Sequence, residues 1–193
     1  MGALDDATGR GRDDFDDLSM SYHTVQPNRW TFRSDKIREW VEKRLTGRVL
    51  NACAGRTKLV HDDRIIRNDI DGEREADLHV DVCEIADELD AESVDTVVYD
   101  PPFSQYQSTR SYGGKEVGDD ALAKRQFDDL LAPGGRFIQF GFTTTGMPMS
   151  LGYERQEVAV FNTLGRMNDY LGVVDEKPGE LEAGPRWFHA DGD

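Results

Sequence analysis

Apolar residues recur at helical spacing in two stretches of the chain. The first predicts a helix over residues 35–45, with Ser34 or Asp35 as its N-cap. Its apolar face carries Ile37, Trp40, Val41 and Leu45. The second predicts a helix from Asp119 to Leu131, which the sequence APGG ends. A shorter helical pattern holds Ile85, Ala86 and Leu89.

Short apolar runs between these segments predict β-strands. Four of them are clear: RVLNACAG, RIIRNDID, VDTVVYDPPF and RFIQFGF. The run ADLHVDV predicts a shorter strand, and EVAVFNTLGRMNDYLGVVDEK predicts a closing antiparallel hairpin. Strands that alternate with helices indicate an α/β domain with a mostly parallel sheet, in which ligands bind beyond the carboxyl ends of the strands.

The length of 193 residues fits one well-cored domain. We assign it to residues 21–177, preceded by a disordered segment, 1–20, and followed by a tail, 178–193. No apolar stretch approaches the roughly 18 residues of a membrane span, and the acidic start is unlike a secretory signal. Two cysteines and isolated histidines provide no disulfide framework and no metal site. We therefore expect a soluble, cytoplasmic protein without a bound metal.

The net charge of −15 is unusual for a protein that binds nucleic acid. Asp outnumbers Glu, and Arg outnumbers Lys. This pattern favours a salt-rich (halophilic) cytoplasm, of an archaeon or of a virus in such a host, because salt at about 1 M screens charge repulsion within a few ångströms. An acidic protein with a small-molecule or protein substrate is an equal alternative.

The sharpest chemical feature is Asp100-Pro101-Pro102-Phe103, which ends a buried strand. The Asp100 carboxylate and the Pro101 carbonyl are two acceptors for the hydrogens of an amino group, and prolines fix such acceptors in place. Phe103 has the ring needed to stack on a base taken out of its helix. The alternative is an ordinary turn at the end of a strand, since Asp-Pro is common in turns.

These four residues resemble the catalytic motif of amino-directed DNA and RNA methyltransferases. The resemblance covers about Trp30 to Val174 and is closest in kind to compact, phage-like adenine DNA methyltransferases. It implies the Rossmann-like class I methyltransferase fold: a mostly parallel seven-stranded sheet, a C-terminal antiparallel hairpin and helices on both faces. It also implies methyl transfer from S-adenosylmethionine to an exocyclic amino nitrogen, with adenine N6 in DNA as the leading target.

The same resemblance implies a cofactor site. Asn51 stands where the family usually has an acid, and Thr57 where it has a second glycine. Asp69 matches the acid that holds the ribose, while Asp71 competes for that role or caps the next turn. The cofactor-binding residues that the resemblance implies are Trp30, Phe32, Asn51, Ala52, Cys53, Gly55, Asp69, Ile70, Asp81, Val82 and Asp100.

The loop after the catalytic motif mixes aromatic, amide and basic side chains, which suits contacts with bases and phosphates. The predicted substrate-binding residues are Phe103, Gln105, Tyr106, Arg110, Tyr112 and Lys115. A merely polar surface loop is the alternative.

Several functions share these features. An RNA methyltransferase would use the same motif and mechanism, and cytosine N4 is a further target. A catalytically silent nucleotide-binding or scaffold module is a rival of another class, which the departures at Asn51 and Thr57 favour and the intact DPPF disfavours. The expected partner is nucleic acid, DNA before RNA. A homodimer would supply contacts for which a chain of this length has little room.

Overall fold

The structure is a computed structural model, and it describes residues 18–26, 28, 30–102, 119–165 and 168–179. Seven strands run in chain order, and we number them as follows: β1 Ser19–Thr24, β2 Val49–Asn51, β3 Ile65–Arg67, β4 Val94–Tyr99, β5 Leu131–Gly141, β6 Glu154–Asn162 and β7 Tyr170–Glu176. The α-helices are α1 Asp35–Glu42 and α2 Asp120–Leu130. Short 3₁₀ helices cover Thr31–Arg33, Ile85–Asp87 and Met149–Leu151.

The strands form one sheet in the order β1-β6-β7-β5-β4-β2-β3. The pairs β2–β3, β2–β4, β4–β5 and β1–β6 are parallel, whereas β7 runs antiparallel to both β5 and β6. This arrangement confirms the predicted fold class, a mostly parallel seven-stranded sheet that a C-terminal antiparallel hairpin completes.

The two α-helices lie on opposite faces of the sheet. Successive residues of a strand point to opposite sides, so each face presents its own set of side chains to one helix. On one face, Trp40 of α1 packs edge-on against Phe140 of β5 and Phe161 of β6, at ring distances of 5.7 and 5.5 Å. On the other face, Phe127 of α2 packs against Tyr99 and Phe137. All of these aromatic rings are buried, so each helix closes its own hydrophobic core.

Three elements differ from the sequence predictions. Strand β1, SMSYHT, was not predicted and includes Ser19 and Met20, which precede the predicted domain boundary. It alternates only weakly in polarity and forms because β6 offers it a parallel partner. The predicted helix around Ile85 is a single 3₁₀ turn, and the like charges of Glu84 and Glu88 at i,i+4 spacing disfavour an α-helix there. The sequence APGG belongs to β5, which follows α2 without a break.

The predicted strand ADLHVDV is reduced to a single β-bridge between Asn68 and Leu78. The side chain of Asn68 takes the place of the missing ladder. Its amide nitrogen donates to the carbonyls of Ala52 and Val80, both at 3.0 Å, and its oxygen accepts from the Val80 N–H at 3.1 Å. One buried amide therefore ties the end of β2 to the segment that leads to Asp81.

The sheet topology brings the carboxyl ends of β2, β3 and β4 to one edge, since these strands are adjacent and parallel. The segments 51–57, 69–71 and 100–102 follow these ends directly. None of the helices in the described ranges is long and apolar enough to cross a membrane.

Candidate active site

The turn after β2 is shaped by a glycine in the left-handed region. Gly55 has φ +57°, which a residue with a Cβ adopts only under strain. Its N–H donates to Oδ2 of Asp69 at 2.8 Å, so the turn is tied to the end of the neighbouring strand. Apart from its chain neighbours, no atom of the described residues lies within 4 Å of the position that a Cβ would occupy at Gly55. Among these residues, the turn therefore leaves room at the edge where ligands of such sheets bind.

Arg67, which the sequence analysis did not single out, holds the same turn from its other side. Its guanidinium donates to the carbonyls of Gly55 and Thr57, at 3.2 and 3.1 Å. The chain after this turn forms a loop as far as β3, without a helix. The turn is thus fixed by Arg67 and Asp69, where the resemblance would place a second glycine at Thr57.

The two aspartates after β3 have different partners. Asp69 is 4% exposed, and its second oxygen accepts from the N–H of Asp71 at 2.9 Å. Asp71 accepts from the N–H of Glu73 and forms an ion pair of 2.9 Å with Arg74. Asp71 therefore caps the following turn, one of its two predicted roles, while Asp69 is buried at the turn of Gly55.

Asp81 and Val82 lie at the end of the segment that Asn68 positions. Oδ1 of Asp81 accepts from the N–H of Cys83 at 2.9 Å, which makes Asp81 a turn cap, and Val82 is buried. Ile70 is half-buried between the two aspartates of its own turn.

Asn51 and Ala52 end β2 in the interior. Ala52 continues the ladder through its N–H, which donates to the Val98 carbonyl at 2.9 Å. Asn51 is fully buried, and neither its amide nitrogen nor its amide oxygen has a hydrogen-bond partner among the described residues. A buried amide in this condition costs about 1–3 kcal/mol for each group, so it is a position where a polar ligand group would be stabilising.

Asp100 follows β4 at the centre of this edge and is half-buried, as are Pro101 and Pro102. Oδ1 of Asp100 accepts a hydrogen bond of 3.2 Å from the hydroxyl of Thr31, in the 3₁₀ helix that precedes α1. Burial raises the pKa of Asp100 to about 7, although the Thr31 hydrogen bond opposes the rise. This carboxyl group therefore titrates near neutral pH.

Three carboxylates converge on Cys53. Burial raises the pKa of its thiol well above the ordinary value, and the negative charges of Asp100, Asp69 and Asp81 raise it further. The thiol consequently stays protonated, which makes it a poor nucleophile. These three acids, which are far apart in sequence, therefore all act on the same thiol.

The flanking aromatic residues have separate positions. Phe32 is buried and packs edge-on against Phe140, at 5.4 Å between ring centroids. Trp30 is half-buried, with the guanidinium carbon of Arg56 5.7 Å from the centroid of its ring. The structure thus places Phe32 in the core and Trp30 near the turn that contains Gly55.

Phe142 and Tyr170 were not predicted as site residues. Tyr99 pairs with Gln139 and Gly141 pairs with Leu171, so Asp100, Phe142 and Tyr170 reach the same edge of the sheet. The rings of Phe142 and Tyr170 stack at 6.0 Å with an angle of 16°. Burial raises the pKa of Tyr170, and the charge of Asp100 adds to the rise. Their position depends on the register of the antiparallel pairing between β5 and β7, for which the sequence carries no local signal.

The remaining predicted residues lie outside the described ranges: Phe103, Gln105, Tyr106, Arg110, Tyr112 and Lys115. Within those ranges, no group of three or more His, Cys, Asp or Glu side chains is placed to hold a metal ion.

No protein-family model matches the sequence, and no curated protein matches it. Solved structures do match the fold. The [4+2]-cyclase SpnF is similar with a TM-score of 0.55 and 12% identity, over 82% of this chain and 87% of SpnF. TrmN from Thermus thermophilus is similar with a TM-score of 0.52 and 15% identity, over 75% of this chain. The match covers 49% of TrmN, so this chain spans about half the length of that protein.

The architecture and these likenesses establish a Rossmann-like class I methyltransferase fold. At identities of 12% and 15%, the likenesses describe the fold alone. One of the two proteins is a cyclase, so the fold does not by itself decide the reaction, and the function has to be argued from the site.

Proposed function

We propose that this protein transfers a methyl group from S-adenosylmethionine to an exocyclic amino nitrogen, with adenine N6 in DNA as the leading target. The observation that carries the proposal is the position of Asp100-Pro101-Pro102. This motif follows the interior strand β4, next to the glycine turn of β2, with the Asp100 carboxylate half-buried and bound by Thr31. The choice of adenine N6 in DNA rests on the resemblance of the motif.

The residues around the site fit S-adenosylmethionine. The sulfonium and ammonium charges of this cofactor suit an edge where Asp69, Asp81 and Asp100 converge, whereas a nucleotide with phosphates would be repelled. Asn51 offers an unpartnered buried amide, and Gly55 leaves room for close approach of a ligand to the backbone.

According to the resemblance, Asp69 and Asp81 bind the nucleoside half of the cofactor. Each oxygen of Asp69 accepts one backbone N–H, which leaves further acceptor capacity for the ribose hydroxyls. Asp81 and Val82 would hold the adenine, one through hydrogen bonding and the other through apolar contact.

In the proposed mechanism, Asp100 and Pro101 act on the amino group of the target base. When bound, S-adenosylmethionine would supply an electrophilic methyl group and leave as S-adenosylhomocysteine as its sulfur–methyl bond breaks, and the surplus proton of the methylated nitrogen would be lost to solvent. The Asp100 carboxylate and the Pro101 carbonyl accept hydrogen bonds from the two amino hydrogens, which makes the nitrogen more tetrahedral and exposes its lone pair. Because both acceptors belong to one proline-fixed turn, the target nitrogen is held in a single orientation.

The test is transfer of labelled methyl from S-adenosylmethionine, at molar salt, to unmethylated double-stranded DNA and separately to RNA. Nucleoside analysis of the product identifies the modified atom. We expect N6-methyladenine in DNA. Methylated RNA alone would replace DNA by RNA as the substrate. No transfer to either, together with no cofactor binding by calorimetry, would leave the silent module as the function.

A pair of variants tests the role assigned to Asp100. Asp100→Ala removes the carboxylate, and we expect transfer to be abolished while calorimetry shows cofactor binding largely retained. Asp90→Ala is the control, since it removes an aspartate from a loop on the same chain. Undiminished transfer by Asp100→Ala would contradict the mechanism, and a loss with both variants would point to a general effect of lost charge.

A further inference from the structure

Thr31 contacts the Asp100-Pro101-Pro102 motif although the two are distant in sequence. Its hydroxyl donates to Oδ1 of Asp100 at 3.2 Å, although 69 positions separate the two residues. The segment that carries Thr31 is anchored on both sides. Phe32 is buried against Phe140, and the N–H of Trp30 donates to the side chain of Asn28 at 3.2 Å. The hydroxyl is thus presented to the carboxylate from a fixed backbone.

We propose that Thr31 is a positioning residue, which orients the Asp100 carboxylate so that Oδ1 is occupied and Oδ2 faces the amino group of the substrate. This inference rests on the proposed function. Thr31 is the one side-chain hydrogen-bond donor to Asp100 that the described residues provide. A carboxylate bound at one oxygen loses its freedom to rotate, so its second oxygen is held in one direction before the substrate arrives.

The same hydrogen bond acts on the ionisation of Asp100. Burial raises the pKa of Asp100 to about 7, and donation from Thr31 lowers it. Two other titratable groups feel the charge of Asp100: the thiol of Cys53, beyond β2, and the hydroxyl of Tyr170, on β7. Both have raised pKa values, so they are neutral near pH 7 and add no charge beside Asp100. Without Thr31, we expect Asp100 to ionise only at higher pH.

A protonated Asp100 is a poorer acceptor for an amino hydrogen, so the pH profile of kcat reports this contribution. Thr31→Val removes the hydroxyl and keeps the branched shape, while Thr31→Ser keeps the hydroxyl. We expect Thr31→Val to lower kcat about fivefold at pH 7, as a rise of about one pKa unit implies, in addition to a loss from the unoriented carboxylate that is the same at every pH. The pH-dependent part of the loss should vanish about two pH units higher. Thr31→Ser should keep the wild-type profile.

Two outcomes would overturn the proposal: a Thr31→Val variant whose kcat matches the wild type throughout, or a Thr31→Ser variant that loses as much activity as Thr31→Val although it keeps the hydroxyl. The matched control is Thr46→Val, which removes a hydroxyl that is bonded to Thr96 at 3.1 Å, away from Asp100. This control should leave the pH profile unchanged.

A second measurement separates this inference from the proposed function. NMR titration of the Asp100 carboxyl carbon, in wild type and in Thr31→Val, needs no activity. A higher pKa in the variant supports the link between Thr31 and Asp100 even if the protein transfers no methyl group, in which case only the proposed function fails. An unchanged pKa overturns the link even if the enzyme is active.

Discussion

Replacement of Asp100 by asparagine should make the protein more stable above neutral pH. Burial raises the pKa of Asp100 from 3.8 to about 7, so the folded state favours the protonated carboxyl group more than the unfolded state does. In the wild type, the contribution of this preference to the unfolding free energy is fully present below pH 3.8 and is lost as the pH rises through about 7. An asparagine side chain carries no charge at any pH, so the unfolding free energy of the Asp100→Asn variant would not fall in this way as the pH rises.

The size of the stability change follows from the difference between the folded and the unfolded pKa values of Asp100. A rise from 3.8 to about 7 corresponds to about 4 kcal/mol between the acidic and the alkaline limits. Asp100 is only half-buried, and water screens part of its charge, so we expect roughly half of this, about 2 kcal/mol. Relative to the wild type, Asp100→Asn should therefore gain about 2 kcal/mol of unfolding free energy between about pH 4 and pH 8.

Urea unfolding of both proteins at a series of pH values, followed by circular dichroism at constant molar salt, measures this difference. The control is Asp90→Asn, a replacement of an exposed loop residue that should shift the stability by only a small amount. If Asp100→Asn changed the unfolding free energy equally at all pH values, or were the less stable protein at pH 8, burial of Asp100 would be refuted as the source of the effect.

Three further variants test packing and the site. Gly172→Ala would place a Cβ 3.1 Å from Trp40, and we expect urea unfolding to show a loss of about 1–3 kcal/mol from overpacking. Gly55→Ala meets no atom but keeps φ +57°, so a loss of about 1 kcal/mol and weaker cofactor binding by calorimetry are expected. Phe142→Leu removes the ring stacked on Tyr170, and if that ring supports the target base, KM for DNA should rise about tenfold with kcat little changed. Unchanged values in any of these assays would contradict the corresponding reasoning.

The helices and strands whose own residues show an apolar periodicity could be predicted from the sequence. Apolar periodicity predicted α1, α2 and the strands β2 to β7, because each of these elements buries a face whose composition is visible in its own residues. The order of strands and helices then limits the sheet to a mostly parallel one. Asp100-Pro101-Pro102 was identified in the same way, since a rigid turn after a buried strand is a local feature.

Contacts between residues distant in sequence determine the features of the fold and of the site that were not predicted. Strand β1 exists because β6 lies beside it, and the predicted strand at ADLHVDV is a single bridge because the Asn68 side chain occupies the hydrogen bonds of the ladder. The role of Arg67 at the glycine turn depends on contacts across 10 and 12 positions of sequence.

The ionisation of Asp100 belongs to the same class of property. Its sequence neighbours are two prolines and a tyrosine, none of which accounts for a pKa near 7. The shift arises from burial, and the opposing hydrogen bond comes from Thr31, 69 positions earlier in the sequence. Periodicity and turn chemistry act between neighbours in the chain and can be recognised in sequence, whereas desolvation depends on which segments pack together and arises only when the fold has formed.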